Sequence, residues 1–318
     1  MMKTKLLSLL LCIVMILSVF SACNAEPEQE KAPSNPPVSD GGQNGENDGA
    51  QDGENNGGQN GENDGAQNGE NDGSNSTAEG ESENKLYRKT IIWNGDSICY
   101  GSSRYGNWAT RIAERNELKA WKNYGVGGAT IVENAPPYQS GNERHSVSAS
   151  LEEMHEEFPD ANYVILEGGT NDADLLGSII DGTIDFRFGS FDPEDFSGEY
   201  NTYTYCGALE SIFYRAKQLW PKATICFIVA QKMGLNAYTS ANRYAYFEAA
   251  MQICEKWGIP CLNLWDNCDL DPTYSEMYDP SKTKEENEQS SMYTDGQHLS
   301  PAGYDYTTDI IEAWLKEQ

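Results

Sequence analysis

Basic residues are scarce in this chain. Its 22 Lys and Arg stand against 50 Asp and Glu, a formal net charge of −28 at pH 7. A surface of that sign repels phosphate, which excludes nucleic acid and an anionic membrane surface as partners. Histidine is rarer still, with three in 318 residues. No H-E-x-x-H, second histidine cluster or C-x-x-C pair occurs, so a metal site built on imidazoles or paired thiolates lacks its ligands, and no metal or other cofactor is expected. From Asn24 to Asn84 aromatic and β-branched residues are almost absent, and a segment of that kind cannot bury a core.

The N-terminus has its own character. Two lysines within Met1–Lys5 precede an apolar run from Leu6 to Phe20, which is too short for a membrane span of about 20 residues and has the layout of a secretion signal. Phe20-Ser21-Ala22-Cys23 resembles a bacterial lipobox, with Phe20 in place of the usual leucine. That resemblance implies removal of residues 1–22, a lipid on Cys23 and an anchor at the outer face of the cell membrane. Ordinary cleavage after Ala25, giving a secreted protein, is the alternative. Residues 23–84 then form a tether. They contain four octads of the form Q-N-G-E-N-D-G-A, Gln43–Ala50, Gln51–Gly58, Gln59–Ala66 and Gln67–Ser74. The octads lack the D-x-D-x-D-G spacing and closing Glu of a calcium loop. A flexible spacer of about 60 residues reaches on the order of 40 Å.

Residues 85–318 suit one domain. Even without the tether they hold 35 acidic against 19 basic residues. Of their six cysteines, Cys226 falls in an apolar strand-like run and Cys254 in a helical pattern; all read as small buried thiols, although export would permit disulfides. Short apolar runs alternate with amphipathic stretches. Strands are predicted at Thr90–Asn94, Ala120–Tyr124, Ala161–Glu167, Ala223–Ala230 and Ile259–Leu264. Helices are predicted from Asn107, on Leu209–Leu219, on Phe247–Trp257, and from Ser300-Pro301 through Ile310, Ile311, Trp314 and Leu315. The alternation predicts an α/β fold with a parallel sheet covered on both faces, and ligands in such sheets lie beyond the carboxyl ends of the strands.

Three of those ends carry polar, glycine-rich turns: Gly95-Asp96-Ser97, Gly127-Gly128-Ala129-Thr130 and Gly168-Gly169-Thr170-Asn171-Asp172. A serine at the first is placed for a nucleophile, beside backbone N–H groups that no ladder uses. Such chemistry also needs a base and an acid to orient it. His145 lies in a polar stretch with no period, and His155 in a charged helical run reads as solvated. His298 stands in a loop just ahead of a helix start. Asp295 precedes it by three residues, close enough for one tight turn to bring its carboxylate to the ring.

Gly95-Asp96-Ser97, Gly128, Gly169-Thr170-Asn171-Asp172 and Asp295-Gly-Gln-His298 together resemble the four ordered blocks of the SGNH hydrolases, also called the GDSL esterase and lipase superfamily. The resemblance spans nearly the whole domain, with Ile98 in place of the family's leucine. It implies a three-layer α/β/α sandwich on a five-stranded parallel sheet, flavodoxin-like. It implies that Ser97 is the nucleophile, His298 the general base and Asp295 its orienting acid, with Asp172 the fallback. It further implies an oxyanion hole from the Ser97 and Gly128 N–H groups and the Asn171 amide, Gly128 being two residues ahead of Thr130. The expected activity is hydrolysis of short-chain, acetyl-type esters on polysaccharide or oligosaccharide, with the membrane met only through the anchor. A lipase or lysophospholipase, an acyltransferase using the same acyl-enzyme, and a non-catalytic glycan-binding lipoprotein are the alternatives. The aromatic residues of the Ala173–Tyr205 insertion, among them Phe186, Phe188, Phe191, Phe196, Tyr200 and Tyr203, either line a sugar cleft or pack the long loop onto its domain.

Overall fold

A computed structural model describes residues 84–102, 105–138, 140–177, 179, 187–234, 237–270, 272, 281–283, 286 and 291–318. The expected signal and anchor at residues 1–23, the expected tether up to residue 83 and Phe186 lie outside the described residues.

Five strands, β1 (Thr90–Asn94), β2 (Ala120–Asn123), β3 (Tyr163–Glu167), β4 (Thr224–Val229) and β5 (Cys261–Asn263), form one parallel sheet in the order β2-β1-β3-β4-β5. β1 and β3 are buried along their whole length, as strands covered on both faces must be, and their sequences accordingly run apolar without alternation. The edge strands β2 and β5 are shorter and only partly buried. This is the doubly wound order, in which the chain reverses direction between β1 and β3 and leaves a crevice at their carboxyl ends.

Between the strands run α1 (Ser97–Tyr100), α2 (Trp108–Asn116), a 3₁₀ turn (Val147–Ser150) leading into α3 (Leu151–Glu157), α4 (Thr170–Leu175), α5 (Tyr205–Leu219), α6 (Ala237–Trp257), α7 (Leu264–Asn267) and α8 (Pro301–Leu315). They begin where the sequence supplies caps. Asn107 accepts the Thr110 N–H, Thr204 that of Gly207, and Ser300 that of Gly303, with Pro301 in the first turn of α8. Two packed groups result, α2 with α8, and α3 to α6. In the first, the Trp108 indole donates to Thr307 Oγ1 at 2.9 Å and meets Tyr304 edge-on. Ile311 and Leu315 of α8 are buried, whereas Ile310 and Trp314 are only partly so.

The insertion's aromatic residues pack. Phe188 stacks on Tyr205 and meets Tyr246 edge-on, while Phe196 and Tyr200 meet Trp257 edge-on. Lys256 lies beneath this group against Phe196 and Tyr200, its ammonium paired with buried Glu210. An ion pair with little water access is held here by ring faces and by the Asp192 carbonyl. The thiols of Cys99, Cys206, Cys226, Cys254, Cys261 and Cys268 are all free. Burial pushes those of Cys206 and Cys226 up to about 12, out of the reactive range. His155 departs from its sequence reading. Its ring meets Trp220 edge-on at 5.3 Å and its Nδ1 is buried, because the residue borders the Leu151/Met154 stripe that α3 turns inward.

Candidate active site

The site begins where β1 stops. A Cβ on Gly95 would lie 2.7 Å from both Cys99 Cβ and Glu167 Oε2, so glycine alone fits between the strand end and the next turn. Asp96 caps α1, its Oδ1 accepting the Ile98 N–H at 2.8 Å. Ser97 is the first residue of that helix, so its own N–H has no intrahelical acceptor. Tyr304 of α8 donates to the Ile98 carbonyl at 2.8 Å and fixes α1 from the other side.

His298 arrives from the opposite end of the chain on a tight loop. Tyr293 and Leu299 pair across its base, and the Thr294 N–H donates to the His298 carbonyl at 2.9 Å. Gly296, with φ +87°, makes the left-handed bend that a side chain would resist. Asp295 organises the turn: Oδ1 accepts the Gln297 and His298 N–H groups at 2.9 and 2.8 Å, leaving Oδ2 for the His298 ring. The result is a continuous run, with Asp295 Oδ2 2.7 Å from His298 Nδ1 and His298 Nε2 2.9 Å from Ser97 Oγ. A carboxylate on Nδ1 sets the tautomer that leaves Nε2 free to accept a proton. Burial pushes the His298 pKa down, but the bond to Asp295 and the charges of Asp295 and Asp96 outweigh it, and the net shift is upward. Burial likewise pushes Asp295 up, and the His298 ring with the turn's N–H groups brings it below the ordinary carboxylate value. Behind the turn, Arg243 pairs with Asp174 and donates to Gln297 Oε1 at 2.7 Å, while Gln231 donates to the Gln297 carbonyl at 3.0 Å.

Gly128 and Asn171 meet on a third loop. The Val126 N–H donates to the Gly95 carbonyl at 2.9 Å, docking the loop after β2 on the strand end that carries Ser97. Gly128 has φ +74°, and among the described residues its N–H has no acceptor. Asn171, in the first turn of α4, donates one amide hydrogen to the Ala129 carbonyl at 2.9 Å, and among the described residues the other has no acceptor. Asp172 stands elsewhere than a fallback acid would. It is buried, and its two oxygens accept the Ile131 and Val132 N–H groups at 2.9 and 3.0 Å. Burial raises its pKa to about 7 despite those donors. Asp172 therefore clamps the loop that carries Gly128 and takes no part at His298.

Beneath Ser97 lies a pair that the sequence reading did not single out. Glu167, last residue of β3, is buried against Asp96 and accepts its N–H at 3.1 Å. Glu167 Oε1 and Asp96 Oδ2 are buried with no other partner, a need that one proton shared between the carboxyls would meet. Burial and the Asp96 charge hold Glu167 well above the carboxylate range. The only trace in the sequence is an acidic residue closing an apolar strand.

A cavity of about 300 Å³ opens beside Ser97 and His298, lined also by Gly101, Ser102, Tyr105 and Tyr304. Among the described residues, none of the insertion's aromatic side chains borders it. Among the described residues no three His, Cys, Asp or Glu side chains are grouped to hold a metal ion. A polarised hydroxyl, a base with its carboxylate, and unspent N–H donors across the same strand ends can together carry out acyl transfer.

The first of three solved structures agrees on the fold. A solved structure from Lactobacillus plantarum is 20% identical, with a TM-score of 0.52, covering 73% of this chain and 99% of that one. A carbohydrate acetylesterase from Sinorhizobium meliloti, at 12% identity and a TM-score of 0.48, covers 72% of this chain and 99% of its own. A GDSL-like lipase from Bacteroides thetaiotaomicron, at 16% identity and a TM-score of 0.43, covers 73% and 90%. Among curated proteins there is no match. A family model matches residues 94–306. Because that match runs from the last residue of β1 into α8 and takes in Ser97 and His298 alike, the chain belongs to the GDSL-like lipase/acylhydrolase family and is an ester-hydrolysing enzyme.

Proposed function

We propose that this protein is a surface-tethered serine esterase that removes short acyl groups, acetyl above all, from carbohydrate. The observation that carries the reading is the unbroken run from Ser97 Oγ through His298 to Asp295, at 2.9 and 2.7 Å. Ser97 Oγ attacks the ester carbonyl carbon while its proton passes to His298 Nε2. The resulting oxyanion takes hydrogen bonds from the Ser97 and Gly128 N–H groups and the Asn171 amide. The C–O bond to the leaving alcohol then breaks, and the alcohol departs with the proton from His298. Water attacks the acyl-Ser97 carbonyl, giving a proton to His298, and collapse releases the carboxylic acid and restores Ser97.

A cavity of about 300 Å³ is at the small end for ligand sites and favours a short acyl group. Lipidation of Cys23 and the tether from residue 23 to 84 would hold the domain off the membrane, where polymeric substrate is met.

The test is hydrolysis of p-nitrophenyl acetate by the wild type and by Ser97→Ala, alongside labelling with a fluorophosphonate. Hydrolysis and labelling that vanish together in Ser97→Ala support the reading, and an unchanged rate refutes it. Labelling absent from the wild type favours a glycan-binding protein. Acetate released from acetylated xylan, compared with fatty acid released from lipid, separates the substrate classes. The mass of the mature N-terminus decides the anchor.

A further inference from the structure

The peptide between Gly127 and Gly128 has no side chain on either flank to restrict it. A Cβ on Gly127 would meet nothing within 4 Å, and Gly128 sits at φ +74°. Two adjacent glycines impose little barrier to rotation of the plane between them. Yet that plane carries the Gly128 N–H, and a donor is useful to an oxyanion only if its direction is set beforehand.

One side chain removes the freedom. The Tyr138 hydroxyl donates to the Gly127 carbonyl at 2.9 Å. In a trans peptide the C=O and N–H point to opposite sides of one rigid plane, so holding the Gly127 oxygen also aims the Gly128 N–H. A donor on the carbonyl polarises the amide as well and strengthens its N–H. The fit is close: a Cβ on Gly128 would lie 1.8 Å from the Tyr138 hydroxyl. Tyr138 is itself held. The Arg144 guanidinium stacks on its ring, 3.9 Å from the centroid, and donates to the Pro136 carbonyl at 2.9 Å and the Gly128 carbonyl at 3.4 Å. The Tyr138 N–H donates to the Asn142 carbonyl at 3.0 Å, closing the turn that presents the phenol.

We propose that Tyr138 is a positioning residue for the oxyanion hole, its hydroxyl holding the Gly127–Gly128 peptide so that the Gly128 N–H faces the reacting carbonyl. The inference rests on the serine-esterase reading above and goes beyond it, because the family resemblance assigns this residue no role.

The test is Tyr138→Phe in the full chain, assayed on p-nitrophenyl acetate beside the wild type and Ser97→Ala. The phenyl ring keeps the Arg144 stack and loses only the hydroxyl. The expected result is a kcat lower by on the order of tenfold, the weight of one neutral hydrogen bond, with KM within about twofold. The acid limb of the pH profile should stay in place, and fluorophosphonate labelling should still reach completion. A trifluoromethyl ketone, which forms an oxyanion on Ser97, should bind more weakly by a factor similar to that in kcat. An unchanged kcat overturns the inference. So does a loss confined to KM, which would mark Tyr138 as a substrate contact, or a loss accompanied by a shifted pH limb or a collapsed Tm. Wild-type protein that neither hydrolyses nor labels would instead refute the esterase reading. Activity lost in Ser97→Ala but intact in Tyr138→Phe refutes this inference alone.

Discussion

Asp295→Asn separates what the loop does for folding from what it does for chemistry. The carboxylate spends Oδ1 on two backbone N–H groups, at 2.8 and 2.9 Å, and Oδ2 on the His298 ring at 2.7 Å. Asparagine has the same shape. If its oxygen keeps the two backbone donors, its NH₂ must face Nδ1, and the reverse placement would set a donor against two donors. The imidazole then accepts at Nδ1 and carries its proton on Nε2, 2.9 Å from Ser97 Oγ. The ring can no longer take the serine proton. A comparable change of tautomer in a serine protease triad lowers kcat by about 10⁴, or about 5.5 kcal/mol of barrier at 1.36 kcal/mol per tenfold. Two charge-assisted backbone bonds become neutral ones, a loss of about 1–3 kcal/mol. For a domain of this size each kcal/mol moves the Tm by about 2–4 °C. Steady-state hydrolysis of p-nitrophenyl acetate and calorimetry on the same sample measure both effects. A variant that keeps more than about a tenth of the wild-type kcat would refute the argument, because a base oriented by the wrong partner would then suffice.

Two further expectations concern pH. Because the His298 pKa is raised and the proposed base must be neutral, kcat/KM should rise with pH through a midpoint above the ordinary histidine value of about 6.5; a midpoint below it would contradict the role of Asp295. Glu167 titrates far above its unfolded value of about 4.3, so its contribution to stability is complete below that pH and fades as pH rises toward the folded pKa. Glu167→Gln, which cannot ionise, should therefore lose less stability than the wild type between about pH 5 and 8, measured by urea unfolding across that range. Parallel stability curves would show that Glu167 is ionised in the native state.

What could be read from the chain is local in sequence. Gly95-Asp96-Ser97, Asn171 and Asp295-Gly-Gln-His298 each sit on a turn whose residues announce it, and the caps at Asn107 and Ser300 mark helix starts within a residue. Parts that depend on distant partners were not visible. Asp172 looks like a neighbour of the active residues until its bonds tie it to Ile131 and Val132, 41 and 40 positions earlier in the chain. Tyr138 is one of 18 tyrosines, in a loop with no periodicity, and only its approach to the Gly127 carbonyl distinguishes it. The edge strand β5 is three residues long where six fitted the apolar run, since Pro260 has no N–H to give the ladder and Leu264 already opens α7. The insertion's aromatic residues admitted two readings, and their edge-on contacts with Tyr246 and Trp257 favour packing.

The hydroxyl of Ser97 and the imidazole it meets are 201 positions apart, and α1 is braced by Tyr304, later still. During synthesis, the serine emerges long before the group that activates it in the proposed mechanism. On that mechanism, a chain that ends before His298 would be chemically silent. Reactivity would then wait for the last helix to seat on α2 and bring Tyr304 to α1.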